Sequence, residues 1–373
     1  MRVLHFFKTY LPDSMGGIEQ VIFQLCQSTL PHGIHSEVLT LSDDPQPSEL
    51  MVADHRVHRA KLDLQIASTG LSYSVLKRFR HLAAQADVIH YHFPWPLMDL
   101  LHFLAGVKKP VVVTYHSDIV RQKNLMRLYS PLMHRFLKRA DRIVAASPNY
   151  VATSKVLHHY RHKTVVIPYG LDRKSYPPAS KQRLQHWREH CGERFFLFVG
   201  VMRYYKGLHI LLEAAQGAPY PIVIVGAGPL EIELKGQAER LNLNNVQFLG
   251  RLVDEDKIAL LQLCTAIVFP SHLRSEAFGI SLLEGAMFGK PMISSEIGTG
   301  TSYINVHNET GLVVPPSEPR ALRAAMDKLW GDAELSRSMG RKAQAHYESL
   351  FTSERMGQQM AHLYREVVSQ AQS

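Results

Sequence analysis

The chain has 373 residues, with 42 Lys and Arg against 33 Asp and Glu, and a net charge of +9. This length suffices for two domains with separate cores, and no window approaches the ~18–20 apolar residues of a membrane span. The opening run Met1–Phe7 goes straight into a polar loop, so we expect no secretory signal peptide. Cys26, Cys191 and Cys264 lie far apart without metal-type spacing, which favours a reducing cytoplasm.

The whole excess of positive over negative charge lies in the first half of the chain. Residues 1–178 hold 22 Lys and Arg and 13 Asp and Glu, whereas residues 179–373 hold 20 of each. A one-sided basic surface favours an anionic partner such as nucleic acid, a phosphorylated glycan or the inner membrane surface, although it can also serve solubility alone. The basic residues lack the repeated aromatic interleaving of nucleic-acid stacking sites, so we predict no nucleic-acid partner.

Short apolar strands alternate with helix-length segments along the whole chain. The runs are continuous and rich in β-branched residues, as in strands buried on both faces of a parallel sheet. In the first half, strands are predicted at Val3–Phe7, Glu37–Leu41, Val88–Tyr91, Val111–Tyr115, Ile143–Ala146 and Val165–Ile167. In the second half, they are predicted at Phe195–Val199, Ile222–Val225, Val246–Leu249, Ala266–Phe269, Met292–Ser295 and Leu312–Val314. This alternation indicates βαβ units and the α/β class.

A proline-rich, polar stretch between Pro168 and Phe195 separates two such series of strands. We therefore predict two Rossmann-like domains with doubly wound parallel sheets, which face each other across a cleft. The first domain would comprise residues 1–170 and the second residues 171–353. A helical pattern at Glu354–Val367 follows the last strand, and we expect residues 354–373 to complete the first domain.

Two features of the first half stand where predicted strands end, which is where open parallel sheets bind their ligands. Gly16 and Gly17 open a helix after the first strand, and a glycine pair there lets backbone N–H groups approach a phosphate. A flexible turn is the alternative. His116 follows the strand Val111–Tyr115, where it could hydrogen-bond a sugar hydroxyl or stabilise charge. The alternative is a surface histidine, since the chain contains 21 histidines.

Arg203 and Lys206 lie in the loop between the strand Phe195–Val199 and a helix predicted from about Leu208. Two cations beside a helix N-terminus can hold a diphosphate and stabilise the charge that grows on it as it leaves. A solvated basic turn is the alternative. The segment 226–228 contains only part of the dinucleotide fingerprint, and we interpret it as a tight turn lining a nucleotide site.

The segment from Ser275 to Pro291 combines a loop, a helix start and two carboxylates. Glu276 precedes the helix and could accept hydrogen bonds from sugar hydroxyls, or it could be a solvated loop residue. The helix-start amides expected to face phosphate include those of Phe278, Gly279, Ile280 and Ser281. Ser281 with Glu284 three residues later predicts a capping box. Glu284 could also reach a ribose.

Together these residues resemble glycosyltransferase family 4, whose members are retaining enzymes with the two-domain GT-B fold. The matching positions are Glu276 and Glu284, Gly16-Gly17, Arg203 with Lys206-Gly207, Pro168-Tyr169-Gly170-Leu171-Asp172, and Asn308-Glu309-Thr310-Gly311-Leu312. Their order and spacing extend over nearly the whole chain.

The resemblance implies roles for the matched residues. The implied donor-binding residues are Gly16, Gly17, Arg203, Lys206, Gly250, Arg251, Glu276, Phe278, Gly279, Ile280, Ser281 and Glu284. Glu276 would contact the sugar, Glu284 the ribose and Gly250 with Arg251 the base. The implied catalytic residues are His116, Glu276, Arg203 and Lys206. The resemblance also implies no cofactor or metal, which agrees with the lack of an Asp-x-Asp motif at a predicted strand end. Two cations would do the charge work of a metal.

The opening run looks like the mannosyl- and rhamnosyltransferases of bacterial O-antigen and lipopolysaccharide assembly. This likeness implies a GDP-sugar donor and an undecaprenyl-diphosphate-linked glycan or lipopolysaccharide acceptor. It also implies peripheral attachment to the inner face of the inner membrane, in the cytoplasm. The segment Arg121–Arg142 mixes seven cations with apolar residues, so it could be an interfacial amphipathic helix. A buried helix with a solvated basic edge is equally consistent with this pattern.

We therefore expect a retaining, metal-independent glycosyltransferase that uses GDP-mannose or GDP-rhamnose. One alternative is a UDP-sugar-dependent transferase of the same family. Another is a nucleotide-sugar 2-epimerase of the GT-B fold, and a third is a scaffold protein with a decayed site. The pair Glu276 and Glu284, with the Arg203–Lys206 loop, argues against the epimerase. The scaffold is disfavoured because no matched position has lost its chemical character.

Overall fold

The computed structural model describes residues 1–66, 69–119 and 123–372. The chain divides into two compact units, Met1–Gly170 with Ser353–Ser373, and Leu171–Thr352. The domain boundaries predicted from the sequence lie after residues 170 and 353. Each unit has its own parallel sheet, and each is described below by itself.

The first unit is built on a sheet with helices attached to it. Its strands are β1 (Arg2–Phe6), β2 (His35–Ser42), β3 (Glu49–Val52), β4 (His55–Lys61), β5 (Leu64–Ile66), β6 (Thr69–Leu71), β7 (Val88–Phe93), β8 (Val111–Tyr115), β9 (Arg142–Ala145) and β10 (Thr164–Val166). Its helices are α1 (Gly17–Thr29), α2 (Val75–Gln85), α3 (Pro96–Ala105), α4 (Lys123–Arg139), α5 (Pro148–Thr153), α6 (Lys155–His159) and the C-terminal α15 (Ser353–Gln372).

The main sheet of this unit has the order β10-β9-β8-β7-β1-β2-β4-β3. All of its pairings are parallel except that of β3 with β4. The chain order reverses between β1 and β7, so the topological switch point lies there. In doubly wound sheets, ligands bind outside the carboxyl ends of the strands at this point.

The strand β4 was not predicted, because strands were predicted from apolar runs and β4 carries mostly charged residues and histidines. Arg59 is buried and its Nη2 lies 2.8 Å from Asp13 Oδ1. His58 is also buried, with its Nε2 2.7 Å from Glu37 Oε2. These polar pairs satisfy groups that would otherwise be costly to bury. Their partners are distant in sequence, so the pattern of β4 alone does not reveal a buried strand.

The helix α15 packs against α1 and is part of the first unit. Its inward face is apolar and buried, with Met360, Tyr364 and Val367 each at most 1% exposed. At Gly357 the two helices approach so closely that an added Cβ would lie 2.2 Å from the carbonyl oxygen of Ser28. This glycine is therefore required for the close approach of α15 to α1.

The second unit contains the remaining strands and helices. Its strands are β11 (Phe196–Val199), β12 (Ile222–Val225), β13 (Val246–Gly250), β14 (Ala266–Phe269), β15 (Met292–Ser295) and β16 (Gly311–Val314). Its helices are α7 (Lys181–Cys191), α8 (Leu208–Ala215), α9 (Glu231–Arg240), α10 (Asp254–Leu263), α11 (Ile280–Met287), α12 (Thr301–Ile304), α13 (Pro319–Gly331) and α14 (Ala333–Leu350).

The sheet of the second unit has the order β13-β12-β11-β14-β15-β16, with parallel pairing throughout. This is the strand order of the doubly wound dinucleotide-binding fold, and its switch point lies between β11 and β14. The predicted α/β fold class is confirmed. All twelve predicted strands are present, with ends that differ by at most two residues.

No helix in the described ranges combines the length and the apolar character needed to cross a membrane.

We expect Gly357→Ala to lower the free energy of unfolding of the first unit by about 1–3 kcal/mol, because the added methyl group overpacks the contact with Ser28. Urea unfolding monitored by circular dichroism would measure this change. The matched control is Gly331→Ala at the end of α13, where an added Cβ meets no atom within 4 Å. This control should be neutral or slightly stabilising, because alanine favours helix. Equal stability of the two variants would contradict the packing argument.

Candidate active site

The loops at the switch point of the second unit carry the two charged groups that the sequence singled out. Lys206 lies in the loop after β11, and Glu276 lies in the loop between β14 and α11. Since β11 and β14 are neighbours in the sheet, their carboxyl ends open at the same place. The topology thus brings together two residues that are 70 positions apart in the chain.

Lys206 and Glu276 form a buried ion pair between Nζ and Oε2. The two side chains are only 12% and 11% exposed. Ser271 Oγ donates a second hydrogen bond, of 3.3 Å, to the same carboxylate oxygen. Burial alone would lower the pKa of Lys206, but the carboxylate of Glu276 outweighs it and the pKa is raised. The pair therefore keeps the ammonium of Lys206 charged and fixed in place, and it leaves Oε1 of Glu276 without a protein partner among the described residues.

Gly207 allows the loop after β11 to pack closely against the loop after β14. It has a positive φ of 71°, and a Cβ at this position would lie 2.0 Å from the carbonyl oxygen of Pro270. Only glycine allows both this backbone conformation and this approach. Gly207 follows Lys206 directly and Pro270 follows β14 directly, so the contact sets the distance between Lys206 and the Glu276 loop.

Arg203 lies in the same loop as Lys206, but its side chain is exposed. It forms no ion pair with another described residue. The loop therefore carries two cations, Lys206 in the interior of the second unit and Arg203 at its surface. Such a pair suits an elongated anion, of which one end is enclosed and the other is near solvent.

The helix α11 begins differently from the prediction. The residue before it is Gly279, in the left-handed region with φ +100°, and the helix starts at Ile280. Ser281 is thus the second helical residue, and its Oγ donates a 2.7 Å hydrogen bond to the carbonyl of Val199. The predicted capping box between Ser281 and Glu284 is therefore wrong, because Ser281 is already inside the helix and bonded to β11.

The start of α11 still offers backbone donors. The amides of Leu282 and Leu283 bond to the carbonyl of Gly279. The preceding amides of Gly279, Ile280 and Ser281 have no hydrogen-bond acceptor among the described residues. Backbone N–H groups at a helix start favour phosphate, and the helix dipole adds to this preference. Phe278, just before Gly279, is 3% exposed and packs in the interior.

Glu284 is buried one turn into α11, at 4% exposure. Its Oε1 accepts a 2.9 Å hydrogen bond from the hydroxyl of Tyr176 and lies 3.0 Å from Lys257 Nζ. Burial lowers the pKa of Lys257, but the carboxylates of Glu284 and Asp254 outweigh it and raise the pKa overall. Sequence reasoning did not find Tyr176, Lys257 or Ser271, because no local motif links them to the two glutamates.

Gly250 and Arg251 lie at the carboxyl end of β13, two strands from β11. Gly250 has a φ of +67°, and its carbonyl accepts a 2.8 Å hydrogen bond from the amide of Gly226. Arg251 is exposed. The structure places both at the same edge of the sheet as Lys206 and Glu276, and their role toward the base stays a prediction.

His116 in the first unit is not a surface residue. It is 5% exposed, its Nδ1 lies 2.7 Å from the hydroxyl of Tyr169, and its Nε2 lies 2.9 Å from His92 Nδ1. Burial lowers the pKa of His116 to about 3, so the imidazole is neutral at physiological pH. A neutral imidazole acts on charge through hydrogen bonds alone, and the predicted role of His116 in stabilising charge stays a prediction. Contact with the transferred sugar stays a prediction.

A cluster of buried imidazoles continues from His116 into the sheet. One ring nitrogen from each of His5, His90 and His92 lies within 4.8 Å of the other two, a spacing compatible with a metal site. Each of these nitrogens, however, has a hydrogen-bond partner. His5 bonds to His92 at 3.1 Å and to Ser36 at 3.2 Å. The remaining partners are Tyr364 and Thr114 for His90, and His116 for His92. Hydrogen bonding thus accounts for the cluster.

The glycine pair of the first unit lies where the sequence predicted, at the start of α1. The carboxylate of Glu19 occupies the same helix start: a Cβ on Gly16 would lie 2.8 Å from Glu19 Oε2. Ser14 Oγ donates a 3.0 Å hydrogen bond to the other oxygen of this carboxylate. An acid in the first turn already complements the helix dipole. Phosphate binding by Gly16 and Gly17 therefore stays a prediction.

We expect Glu276→Gln to lower the free energy of unfolding by about 3–5 kcal/mol, because it leaves the ammonium of Lys206 buried without a counter-charge. The single variant Lys206→Met should also lower the free energy of unfolding. The double variant removes both charges, so its free energy of unfolding should fall by less than the sum of the two single decreases. Urea unfolding of the four proteins measures this coupling. The control is the exposed pair Glu231 and Lys235, whose coupling should stay below about 1 kcal/mol. Coupling of similar size in both pairs would contradict a buried ion pair at Lys206.

Two family models match the chain. That described as Glycosyltransferase Family 4 matches residues 15–175, and that described as Glycosyl transferases group 1 matches residues 182–346. The chain is 69% identical to the D-rhamnosyltransferase WbpZ of Pseudomonas aeruginosa over 353 residues, which cover 95% of this chain and 93% of that protein. It is 53% identical to the O-antigen chain mannosyltransferase C of Escherichia coli over 364 residues, which cover 98% of each.

Solved structures of other proteins resemble this chain over nearly its full length. Sucrose-phosphate synthase from Thermosynechococcus elongatus has a TM-score of 0.82 at 21% identity and covers 99% of both chains. Anabaena Alr3699/HepE in complex with UDP and glucose has a TM-score of 0.78 at 21% identity, over 97% of this chain and 98% of that one. At such identity the likeness establishes the fold. The high identity to the curated relatives, however, shows that the chain belongs to glycosyltransferase family 4 and is a glycosyltransferase of the GT-B fold.

Proposed function

We propose that the protein transfers a rhamnosyl or mannosyl residue from a GDP-sugar to a lipid-linked glycan of O-antigen or lipopolysaccharide assembly. The names of the two curated relatives support the sugar and the pathway. The observation that carries the chemistry is the buried Lys206–Glu276 pair at the switch point of the second unit, beside the start of α11. A UDP-sugar donor is the alternative that the test below distinguishes.

The diphosphate of the donor binds at Lys206, Arg203 and the amides of residues 279–281. The buried ammonium and the amides are fixed before the donor arrives, so they do not have to reorganise when charge develops on the diphosphate. As the bond between the anomeric carbon and the diphosphate breaks, the electron pair leaves with the diphosphate. These donors stabilise the transition state because its phosphate oxygens carry more charge than those of the bound substrate.

The transferred sugar lies against Glu276. Its Oε2 is already bonded to Lys206 and Ser271, and Oε1 remains as an acceptor for a sugar hydroxyl. The proposed reaction retains the configuration at the anomeric carbon. The acceptor hydroxyl approaches on the face that the diphosphate leaves and gives its proton to a diphosphate oxygen.

We further propose that the transfer needs no metal. Lys206 and Arg203 supply the positive charge that a divalent cation supplies to a diphosphate in other transferases. The ion pair with Glu276 fixes the ammonium of Lys206 in one place, as protein ligands fix a bound metal ion. This proposal rests on the residue types of the loop and on their geometry in the second unit.

We assign acceptor recognition and peripheral attachment to the cytoplasmic face of the inner membrane to the first unit, which holds the excess positive charge. Two helices of this unit, α3 and α4, pack together and expose apolar residues. Leu100 and Leu104 on α3 are 42% and 49% exposed, and Leu128 on α4 is 81% exposed. Exposed basic residues on α4 include Arg127, Arg135, Lys138 and Arg139. A surface that mixes leucines with cations suits an anionic lipid interface.

The structure also shows why α4 has two kinds of apolar residue. Met133, Phe136 and Leu137 are buried in the first unit, as expected for a packed helix with a solvated basic edge. Leu128, about one and a half to two and a half turns earlier, is exposed, which supports the proposed contact with a membrane. Arg121, at the start of the predicted interfacial segment, lies outside the described residues.

A thermal-shift screen tests the donor. In buffer with EDTA, GDP-rhamnose or GDP-mannose should raise the melting temperature more than UDP-, ADP- or dTDP-sugars, because a ligand that binds only the folded state stabilises it. With a ligand at 100 times its Kd, the stabilisation would be about 2.7 kcal/mol. A larger shift with a UDP-sugar would contradict the GDP donor. A shift that requires added divalent cation would contradict metal-independent binding.

Binding to vesicles tests the membrane face. Leu128→Ser should weaken binding to vesicles with anionic lipids, and replacing Arg127, Lys138 and Arg139 by serine should remove most of its salt-sensitive part. Each cation near an anionic surface contributes about 1 kcal/mol. The control is Ile232→Ser in the second unit, which removes a residue that is 89% exposed. Vesicle binding that is unchanged in the α4 variants, or equally weakened in Ile232→Ser, would contradict this face.

A further inference from the structure

The family resemblance implies that Glu284 binds the ribose of the donor, and the residues around Glu284 show how this carboxylate is held. It is buried on α11, and two groups from separate segments reach it. Tyr176 belongs to the segment that opens the second unit, and Lys257 lies in the first turn of α10. Neither residue has a role in the family motifs quoted above.

Both donors bond to the same oxygen of Glu284. The hydroxyl of Tyr176 is 2.9 Å and the ammonium of Lys257 is 3.0 Å from Oε1. The other oxygen, Oε2, has no hydrogen-bond donor among the described residues. A carboxylate can accept about four hydrogen bonds, so Oε2 keeps its full capacity for a ligand. A vicinal diol, such as the 2′ and 3′ hydroxyls of a ribose, offers two donors.

The two partners also hold the carboxylate in one orientation. Lys257 is itself fixed, because its Nζ lies 3.1 Å from Asp254 and 5.3 Å from the centre of the Tyr176 ring. Tyr176 is 5% exposed, so its hydroxyl would be costly to bury without the bond to Glu284. A phenylalanine would fill the same space without that bond. The hydroxyl therefore serves the carboxylate rather than the packing.

We propose that Tyr176 and Lys257 are positioning residues that hold Glu284 with Oε2 free to bind the ribose diol of the donor nucleotide. The proposal rests on the proposed function, a transferase with a nucleotide-sugar donor, and on the ribose role that the family resemblance implies for Glu284. It adds that the strength of diol recognition depends on two residues that do not touch the nucleotide. A fixed acceptor binds a diol more tightly than a mobile one, because less side-chain freedom is lost on binding.

The test compares nucleotides with and without the diol. GDP and UDP are titrated calorimetrically, each beside its 2′,3′-dideoxy counterpart. The comparison then uses whichever of GDP and UDP binds more tightly, together with its dideoxy form. For the wild type we expect the dideoxy nucleotide to bind about tenfold or more weakly, as for hydrogen bonds to a charged group. In Tyr176→Phe and Lys257→Arg this preference should fall at least about threefold, with the dideoxy affinity unchanged. Arginine keeps the charge but not the point contact of an ammonium.

The matched control is Tyr220→Phe. Tyr220 is also a buried tyrosine of the second unit, and its hydroxyl donates a 2.8 Å hydrogen bond to Asp327. The full diol preference should survive in this control. A preference that also survives in Tyr176→Phe and Lys257→Arg would overturn the inference. So would an equal loss of affinity for both nucleotides, which is the result of a merely structural role.

A further variant separates this inference from the proposed function. Glu284→Gln should abolish the diol preference. If the wild type shows no preference, or if Glu284→Gln retains it, the ribose role of Glu284 fails and the inference fails with it. If Glu284→Gln loses the preference but the variants of Tyr176 and Lys257 keep it, the ribose role stands and only the positioning role is refuted. Melting curves confirm that each variant is folded before titration.

Discussion

A carboxylate is costly to bury without a partner for its charge, and the second unit meets this constraint twice around α11. Glu276 precedes the helix and Glu284 lies within it, and both are buried. Each has a lysine and a hydroxyl on one oxygen: Lys206 and Ser271 for the first, Lys257 and Tyr176 for the second. Each keeps its other oxygen without a partner among the described residues. The two sites therefore combine a neutralised charge with an acceptor ready for a ligand.

This arrangement depends on the topology of the sheet. Lys206 follows β11 and Glu276 follows β14, and these strands are neighbours only because the strand order reverses between them. Gly207 then lets the two loops touch. In the proposed function, the sugar meets Glu276 and the diphosphate meets the ammonium of Lys206 and the amides of α11, while the family resemblance implies that the ribose meets Glu284. Sugar, diphosphate and ribose follow one another in this order along a nucleotide-sugar donor.

The sequence predicts those parts of the structure that depend on local pattern. Strands with continuous apolar runs, such as Ile222–Val225, are found where predicted, and Glu276 and Glu284 lie before and within a helix, as predicted. Features that depend on distant partners were not predicted. The charged strand β4 requires Asp13 and Glu37, and Glu284 requires Lys257 from another helix. The capping box failed because a left-handed glycine, Gly279, starts α11 two residues earlier.

The central claim is that the loop of Lys206 binds the diphosphate of the donor, and calorimetric titration of GDP and guanosine tests it most directly. In Lys206→Ala, the affinity for GDP should fall by about tenfold or more, as for the loss of a charged hydrogen bond, while that for guanosine should stay nearly constant. Lys235→Ala, an exposed lysine of the same unit, should change neither. An equal loss for GDP and guanosine in Lys206→Ala, or no loss for either, would contradict the claim.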